Sequence, residues 1–477
     1  MSNIATSSAG KRISALLDDA SFVEIGAAIT ARATDFNLNS TETPSDGVIT
    51  GYGLVDGNLV YVYSQDASVL GGSIGEMHAK KIANLYDLAL KVGAPVIGLI
   101  DSAGIRLQES TDALNAFGMI YQKQAMASGI IPQITAVFGS CGGGLSLFPA
   151  LTDFTFMEEK SGKLFVNSPN AIAGNSESKL DTAAAAFQAE NTELVDGVGS
   201  EEDILDQIRM LISLLPANNE EVADGDCEDD LNRVIPEIVN AAGDTSIALS
   251  QIADEGSFLE LKASYAKEMV TGLMKLDGMT VGAIANRTVV YDEEGKKEAE
   301  FDGNLTVKGA RKAEAFVKFC DAFEIPVLTL TNVSGFAACE CAEKNLAKAA
   351  GKLTYAFAEA NVPKVNVYIG KAFGSAYAAM NSKALGCDMA FAWPNAQIGT
   401  MAADLAAKIM YDGQSSEVIS QKAKEYEALQ LSAASAARRG YVDAIIEPAE
   451  TRKYVIGAFE MLYTKSEDRP YKKHGAV

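Results

Sequence analysis

The chain has 477 residues, 48% of them hydrophobic, and its 40 basic and 63 acidic side chains give a formal net charge of −23. The apolar fraction is large enough to fill folded cores, which excludes a disordered chain, and the negative charge excludes nucleic acid and anionic lipid as general partners. The six cysteines have no disulfide-like spacing and residues 1–12 have no apolar signal core, so we expect a cytoplasmic protein.

In chain order, the first half alternates between strand and helix patterns. Apolar runs at residues 59–63, 96–100 and 134–138 predict strands, and amphipathic stretches at 76–91 and 113–127 predict helices. Because the strands are apolar on both faces, we expect a parallel sheet covered by helices and therefore an α/β fold.

An uncharged stretch over residues 124–152 is long enough to cross a bilayer. It contains two prolines and five glycines and has no continuous apolar helix. A buried strand and turn is therefore the favoured interpretation of this stretch.

An acidic segment separates the two halves. Seven of the thirteen residues at 218–230 are Asp or Glu and almost none is apolar, which predicts a solvated linker. Beyond it the second half repeats the α/β pattern, with predicted helices at 306–323 and 343–360 and a strand at 365–369.

Short segments of the first half recur in the same order in the second. Ser21–Ile25 returns as Ser257–Leu261, and Gly51–Gly57 returns as Gly272–Gly278. A shared order indicates an internal duplication, in which loop insertions have changed the spacing. The sequence therefore predicts an N-terminal domain over 1–217, a linker over 218–235 and a C-terminal domain over 236–477.

Two glycine-rich turns are the most informative part of this repeat. Gly139–Gly144 and Gly370–Ala376 each follow a strand pattern and lead into small residues of helical pattern. A strand that turns through glycine into a helix directs backbone N–H groups outward, where they can hold an anion or a developing oxyanion. Two such turns predict two pockets, and hence a reaction between two partners that each carry a carbonyl group.

Other kinds of catalytic site are poorly supported. Neither His78 nor His474 has a local pattern typical of a Ser-His-Asp site. The Cys339-Glu340-Cys341 pair lacks a second pair at zinc spacing, so we predict no metal site. The glycine clusters match neither the dinucleotide-binding nor the Walker pattern.

Several segments of the chain, taken together, match one known family. They are Gly71–His78, Asp101–Glu109, Gly139–Gly144, Pro149–Phe154, Lys371–Tyr377, Ala392–Pro394, Arg439–Asp443, Glu447–Arg452 and Lys472–Gly475. Over nearly its whole length the chain resembles the carboxyltransferase subunit of biotin-dependent acyl-CoA carboxylases, transcarboxylases and decarboxylases. The resemblance implies two tandem crotonase-like domains, and a hexamer built as a trimer of dimers. It also implies active sites between the first half of one subunit and the second half of another.

The resemblance also implies roles for individual residues. The oxyanion donors for the acyl-CoA thioester would be Gly143 and Gly144, and those for the ureido carbonyl of carboxybiotin would be Ser375 and Ala376. The biotin pocket would be bordered by Ser334, Gly335 and Phe336. The CoA channel would be lined by Gly72, Ser73, Ala103 and Gly104. Arg106 would meet a CoA phosphate, with a structural ion pair as the alternative.

The implied activity is carboxyl transfer between carboxybiotin and a short-chain acyl-CoA, through an enolate. Met274-Lys275-Leu276 resembles a biotinylation site only faintly and aligns with Leu54-Val55 of the first copy. We therefore expect biotin on a separate carrier protein, and a separate biotin carboxylase or membrane decarboxylase subunit as a further partner.

The second half departs from the family pattern. Val333–Cys339 stands where the family has V-P-G-F-L-P-G, and Gly374–Ala378 where it has G-G-A-Y-D. The acyl-CoA and the direction of transfer stay open. So do two other functions, namely a biotin-independent crotonase-type lyase or hydratase with Glu109 as its base, and a non-catalytic scaffold subunit.

Overall fold

A computed structural model describes residues 5–32, 41–292, 294–467 and 475–476. His474 lies outside the described residues. Internal contacts divide the chain into two compact units, unit 1 over residues 1–223 and unit 2 over residues 224–477. The division falls within the segment predicted as an acidic linker.

Among the described residues, unit 1 has nine strands, and seven of them form one mixed sheet. Its strands are β1 (Val23–Ile25), β2 (Val48–Val55), β3 (Asn58–Gln65), β4 (Val96–Ile100), β5 (Gln133–Val137), β6 (Ser140–Gly142), β7 (Phe154–Glu158), β8 (Lys163–Phe165) and β9 (Gly197–Gly199). Its helices are α1 (Ser8–Leu16), α2 (Glu76–Val92), α3 (Ser110–Ala127), α4 (Leu147–Leu151), α5 (Asn175–Ser178), α6 (Ala185–Asn191) and α7 (Glu201–Leu214). The sheet order is β1-β2-β3-β4-β5-β7-β9, and β6 pairs with β8 separately.

In the part of unit 2 that the structure describes there are twelve strands, and eight of them form one sheet. Its strands are β10 (Leu259–Leu261), β11 (Met269–Leu276), β12 (Met279–Asn286), β13 (Val289–Tyr291), β14 (Lys297–Glu300), β15 (Asn304–Leu305), β16 (Val327–Val333), β17 (Gly335–Phe336), β18 (Lys364–Phe373), β19 (Met389–Ala392), β20 (Gln397–Gly399) and β21 (Ala444–Ile445). Its helices are α8 (Thr245–Ile252), α9 (Val307–Ala322), α10 (Glu340–Glu359), α11 (Gly374–Ala379), α12 (Ala403–Met410), α13 (Ser416–Tyr426), α14 (Ala433–Arg438) and α15 (Thr451–Leu462).

The two sheets are connected in the same way. In unit 2 the order is β10-β11-β12-β16-β18-β19-β21, with β20 added to β18. In each sheet the first three strands are antiparallel and the rest are parallel. This arrangement confirms the predicted α/β class and is consistent with a duplicated unit.

The predicted elements correspond closely to the observed ones. The strand predicted at 96–100 is β4, and the helices predicted at 76–91 and 306–323 are α2 and α9. The strand predicted at 365–369 is longer, because β18 continues to Phe373 where its last residues pair with β20. The uncharged stretch 124–152 holds the end of α3 and then β5, β6 and α4. Within the described residues, no helix is long and apolar enough to span a bilayer.

An aspartate and an arginine hold the β2–β3 hairpin of unit 1. The backbone N–H groups of Asp56 and Gly57 donate to the carboxylate of Asp18 at 3.0 and 2.9 Å. From α7, Arg209 donates to Asp18 at 3.1 Å and to the carbonyl of Leu16 at 2.6 Å. The first hairpin of the sheet is therefore tied to the last helix of the unit.

Unit 2 repeats this arrangement at its β11–β12 hairpin. The N–H groups of Asp277 and Gly278 donate to Asp254 at 3.1 and 2.9 Å. From α15, Arg452 donates to Asp254 at 2.6 Å and to the carbonyl of Ile252 at 2.7 Å. The Arg452 side chain is fully buried, whereas that of Arg209 is 24% exposed.

The composition of the predicted linker indicates a solvated segment, but its C-terminal end makes ion pairs and hydrogen bonds with unit 2. Arg452 also forms an ion pair with Asp229 at 3.4 Å and donates to the carbonyl of Asp230. Asp229 in turn pairs with Arg233 at 2.9 Å. The C-terminal end of the acidic segment is thus bound to unit 2 by two arginines.

Candidate active-site turns

The first glycine-rich turn lies between β6 and α4. A short 3₁₀ helix, Gly143–Ser146, begins there without a side-chain cap, so its first N–H groups have no intrahelical acceptor. Gly143 has φ +62°, and a Cβ added to it would meet nothing within 4 Å. Gly143 is half-buried, Gly144 is exposed and Leu145 is buried. The backbone N–H groups at the start of this helix therefore lie at an open surface.

The second turn has the same conformation. α11 begins at Gly374, which has φ +66°, and its N-cap residue Phe373 supplies no side-chain hydrogen bond. Gly374 is half-buried, Ser375 is exposed and Ala376 is buried. Because the left-handed conformation falls on Gly374 and not on Ser375, a serine fits position 375 without backbone strain.

The register of the two turns can be fixed from their strands. Ser140 of β6 pairs with Lys163 of β8, as Lys371 of β18 pairs with Gln397 of β20. Gly143 is therefore equivalent to Gly374. In this register Gly144 matches Ser375 and Leu145 matches Ala376, so the two predicted donor pairs are offset by one residue. The exposed position common to both pairs is that of Gly144 and Ser375.

The residues predicted to line the CoA channel lie together beside the first turn. Two hydrogen bonds join the loops that follow β3 and β4. The Ala103 N–H donates to the carbonyl of Gly71 at 2.8 Å, and the Ser102 hydroxyl donates to the carbonyl of Gly72 at 2.7 Å. A Cβ added to Gly104 would lie 3.7 Å from the carbonyl oxygen of Gly142. These loops follow the carboxyl ends of parallel strands, where α/β sheets place ligands. Of the four predicted positions, Ala103 is exposed, and the other three, Gly72, Ser73 and Gly104, are buried.

Arg106 does not fit the predicted contact with a CoA phosphate. Its side chain is fully buried and donates to Asp46 at 2.6 Å, to Glu109 at 3.0 Å and to the carbonyl of Ser73 at 2.6 Å. Since these partners and its burial keep the guanidinium from an external anion, the alternative of a structural ion pair is the correct one.

Glu109 likewise cannot serve as the base of a lyase. Its side chain is fully buried, pairs with Arg106 and accepts the backbone N–H of Glu76 at 2.6 Å. His78 is also buried, with its ring nitrogens at 3.0 Å from the carbonyl oxygen of Asp46 and 3.2 Å from the Gln65 side chain. Burial and the nearby charge of Arg106 hold the pKa of His78 well below its usual range, so the ring stays neutral.

In unit 2, the residues predicted to border the biotin pocket follow β16. The Ser334 N–H donates to the carbonyl of Gly303 at 2.8 Å, Gly335 has φ +153° and Phe336 is 38% exposed. β17, which contains Gly335 and Phe336, packs against α11. The structure therefore brings these residues next to the turn that carries Ser375 and Ala376.

The residue of unit 2 that is equivalent to Arg106 of unit 1 is not an arginine. The Arg106 N–H bonds the carbonyl of Ile74 at 3.0 Å, and the Ala337 N–H bonds that of Leu305 at 3.0 Å. Ala337 is therefore the equivalent residue, and beside it lies a cavity of about 630 Å³ that Cys339 also lines.

A second cavity, of about 530 Å³, opens at the turn of unit 2 itself. Its lining includes Ser375, Tyr377, Tyr426, Gln430, Arg439 and Tyr441. In unit 1 the ring of Phe165 packs on this side of the turn, 2.4 Å from a Cβ placed on Gly142. The matching cross-strand pair in unit 2 is Phe373 with Gly399, so the ring lies on the other strand.

None of the described residues forms a group of three or more potential metal-binding side chains. Lys275 lies in β11 opposite Thr280 of β12, as expected for a strand of the repeat. Sequence patterns did not identify Asp46 as the partner of Arg106, although the spacing of Arg106 and Glu109 was a local signal of an ion pair.

Residues 6–477 match the carboxyl transferase domain family. The chain belongs to this family. It is 40% identical over 484 residues to the propionyl-CoA carboxylase beta chain of Roseobacter denitrificans, covering 98% of this chain and 93% of the relative. It is 39% identical over 488 residues to the methylmalonyl-CoA decarboxylase subunit alpha of Propionigenium modestum, covering 98% and 92%. The family predicted from the sequence is thus confirmed.

This carboxyl transferase also has a close structural relative. A transcarboxylase 12S structure, described as a hexamer with hydrolysed methylmalonyl-CoA bound, aligns with a TM-score of 0.90 and 34% identity. The alignment covers 98% of this chain and 92% of the other, so the similarity extends over both units.

Proposed function

We propose that this chain moves a carboxyl group between biotin on a separate carrier protein and a short-chain acyl-CoA. Propionyl-CoA and methylmalonyl-CoA are the preferred pair, because relatives of nearly equal similarity are named for one or the other. The observation that carries the proposal is the match of residues 6–477 to the family, in a chain that has two equivalent glycine turns.

Each turn holds one carbonyl oxygen in this proposal. In unit 1 the N–H groups at Gly143 and Gly144 stabilise the negative charge that develops on the thioester oxygen as the enolate forms. In unit 2 the N–H groups at Ser375 and Ala376 hold the ureido carbonyl. The biotin group supplies the carboxyl group and the base, so the chain's own part is to bind, orient and stabilise, and it needs no histidine.

The remaining positions follow from the loops beside each turn. We place CoA along Gly72, Ser73, Ala103 and Gly104, and the biotin ring against Ser334, Gly335 and Phe336. Arg106 is left out because its side chain is buried.

The larger assembly is part of the same proposal. The chain would form a hexamer in the cytoplasm and meet a biotin carboxyl carrier protein, with a biotin carboxylase or a membrane decarboxylase subunit as the further partner. Residues 1–217 and 236–477 would be its acyl-CoA and biotin domains. The hexameric transcarboxylase 12S structure supports the assembly.

The test is the reverse half-reaction with purified protein. Methylmalonyl-CoA or malonyl-CoA is mixed with and without biotin methyl ester, and loss of the carboxyl group is followed. We expect loss that depends on biotin, at the highest kcat/KM for methylmalonyl-CoA. Loss without biotin would identify a lyase, and binding of the CoA esters without any loss would identify a scaffold subunit.

A further inference from the structure

The cavity at the second turn has an unusual charge composition. The chain carries a formal net charge of −23, yet the described residues that line this cavity include one arginine, Arg439, and no Asp or Glu. Glu427, which begins the neighbouring π-helical segment Glu427–Leu431, accepts a hydrogen bond from the Gln397 side chain at 2.7 Å. The field of the whole chain repels an anion. A single cation among neutral hydrogen-bond donors therefore makes this cavity a local site that favours an anionic ligand.

The backbone fixes the position of Arg439. It follows the last residue of α14, where its N–H donates to the carbonyl of Ala436 at 3.1 Å, and the next residue, Gly440, turns the chain at φ +77°. One terminal nitrogen of the guanidinium donates to the Gln430 side chain at 2.7 Å. A guanidinium has five N–H donors in a planar fork, so this bond orients the group and leaves donors for a carboxylate.

Hydroxyl groups complete the lining. Tyr426 and Thr400 share a hydrogen bond of 2.9 Å between their oxygens. Burial raises the pKa of Tyr377, which keeps that phenol protonated and able to donate. The cavity also reaches Ser375 at the turn, so an anion bound there lies beside the proposed ureido site.

We infer that Arg439 is a specificity-determining residue that binds the carboxylate of the carboxylated biotin ring. This inference rests on the proposed function. Arg439 distinguishes the carboxylated ring, which is an anion, from the free ring, whose ureido group is neutral. The guanidinium binds the group that is to be transferred, and the turn at Ser375 holds the adjacent carbonyl.

The test compares Arg439→Gln and Arg439→Lys with Arg438→Gln. Both arginines are exposed, but only Arg439 lines the cavity. Transfer is measured in both directions, from carboxylated biotin methyl ester to propionyl-CoA and from methylmalonyl-CoA to biotin methyl ester. The methyl ester removes the carboxylate of the side chain, so only the transferred group is charged.

In Arg439→Gln we expect the KM for the carboxylated ester to rise about 10- to 100-fold, the range for losing a charged hydrogen bond. The KM values for propionyl-CoA and free biotin methyl ester should change less than about threefold. Arg439→Lys should recover part of the loss, and Arg438→Gln should match the unaltered chain. Equal KM values for the carboxylated ester in Arg439→Gln and Arg438→Gln would overturn the inference alone. An unaltered chain that transfers nothing in either direction would overturn the proposed function, and the inference with it.

Discussion

The two turns have the same backbone and different surroundings. Gly143 and Gly374 share a left-handed conformation, and the residue after each is exposed. In unit 1 the ring of Phe165 packs beside the turn, whereas in unit 2 the equivalent residue is Gly399 and a cavity of about 530 Å³ opens there. The backbone conformation is common to both units, and the side chains around it decide what each turn can bind.

The arginines that hold the β2–β3 and β11–β12 hairpins also share their hydrogen bonds and differ in their surroundings. Arg209 and Arg452 make equivalent bonds to an aspartate and a carbonyl. Each also pairs with a second aspartate, Asp56 or Asp229, but of the two side chains only that of Arg452 is fully buried. Equivalent hydrogen bonds therefore have different energetic weight in the two units, because solvent screens one pair and not the other.

The largest expected effect is on this buried arginine. Arg452→Ala leaves Asp254 buried without its cation, so we expect the free energy of unfolding to fall by about 3–5 kcal/mol. Arg209→Ala should cost about 0–1 kcal/mol, since that pair is partly exposed. Urea denaturation of both variants measures the difference. Equal losses would show that the two hairpins are held equally.

The second prediction concerns the backbone N–H at the exposed position of each turn, Gly144 in unit 1 and Ser375 in unit 2. Gly144→Pro and Ser375→Pro each remove one backbone donor, and we expect kcat for carboxyl transfer to fall about 100- to 1,000-fold in either variant. Ser375→Ala keeps its N–H and should retain activity. A loss in only one turn, with both variants folded by circular dichroism, would mean that the turns do not share the oxyanion role.

The close approach of the Phe165 ring to Gly142 predicts an energetic coupling between these two positions. Gly142→Ala places a Cβ 2.4 Å from the ring of Phe165, so we expect a loss of about 1–3 kcal/mol in unfolding free energy from overpacking. In a Phe165→Ala background the same change should cost little. A double-mutant cycle by urea denaturation measures this coupling. In unit 2 the mirror change Gly399→Ala should couple to Leu431, whose Cδ2 lies 2.2 Å from the added Cβ. Additive losses in the first cycle would contradict the interpretation.

A further expected effect depends on pH. Immediately before β7, Asp153 accepts the Gln133 N–H at 2.8 Å, and burial together with the charge of Asp196 raises its pKa to about 7. In the unfolded chain an aspartate titrates near about 4. Between these values the folded state holds a proton that the unfolded state has lost, so stability falls as the pH rises from about 4 to 7.

Asp153→Asn should flatten this dependence, which thermal unfolding at pH 5 and pH 7.5 measures. The equivalent aspartate in unit 2, Asp388, accepts the Lys364 N–H at 2.8 Å and also pairs with Lys465 at 2.9 Å. Asp388→Asn removes the carboxylate at the equivalent position and is therefore the matched comparison. A slope that persists in Asp153→Asn would assign the pH dependence to another group.

Much of the fold could be predicted because its signals are local. The apolar runs of β4 and β5 and the periodicity of α2 lie within single segments, and the glycines of both turns are adjacent in sequence. In the Arg106 cluster the partner Asp46 could not be predicted, since it lies 60 residues from Arg106 and no local pattern pairs them. The cavity at the second turn was also missed, because Tyr426 and Arg439 approach Ser375 from a distant part of the chain.

The exchange of the ring between strands determines which parts of the two turns could be swapped. A side chain copied from Phe373 onto position 142 would meet the ring of Phe165, because a Cβ on Gly142 already lies 2.4 Å from that ring. A side chain copied from Phe165 onto position 399 would meet Leu431, whose Cδ2 lies 2.2 Å from a Cβ on Gly399. A chimera of the two units must therefore carry both strands of the pair together, since either residue transplanted alone meets a neighbour that its own unit does not have at that place.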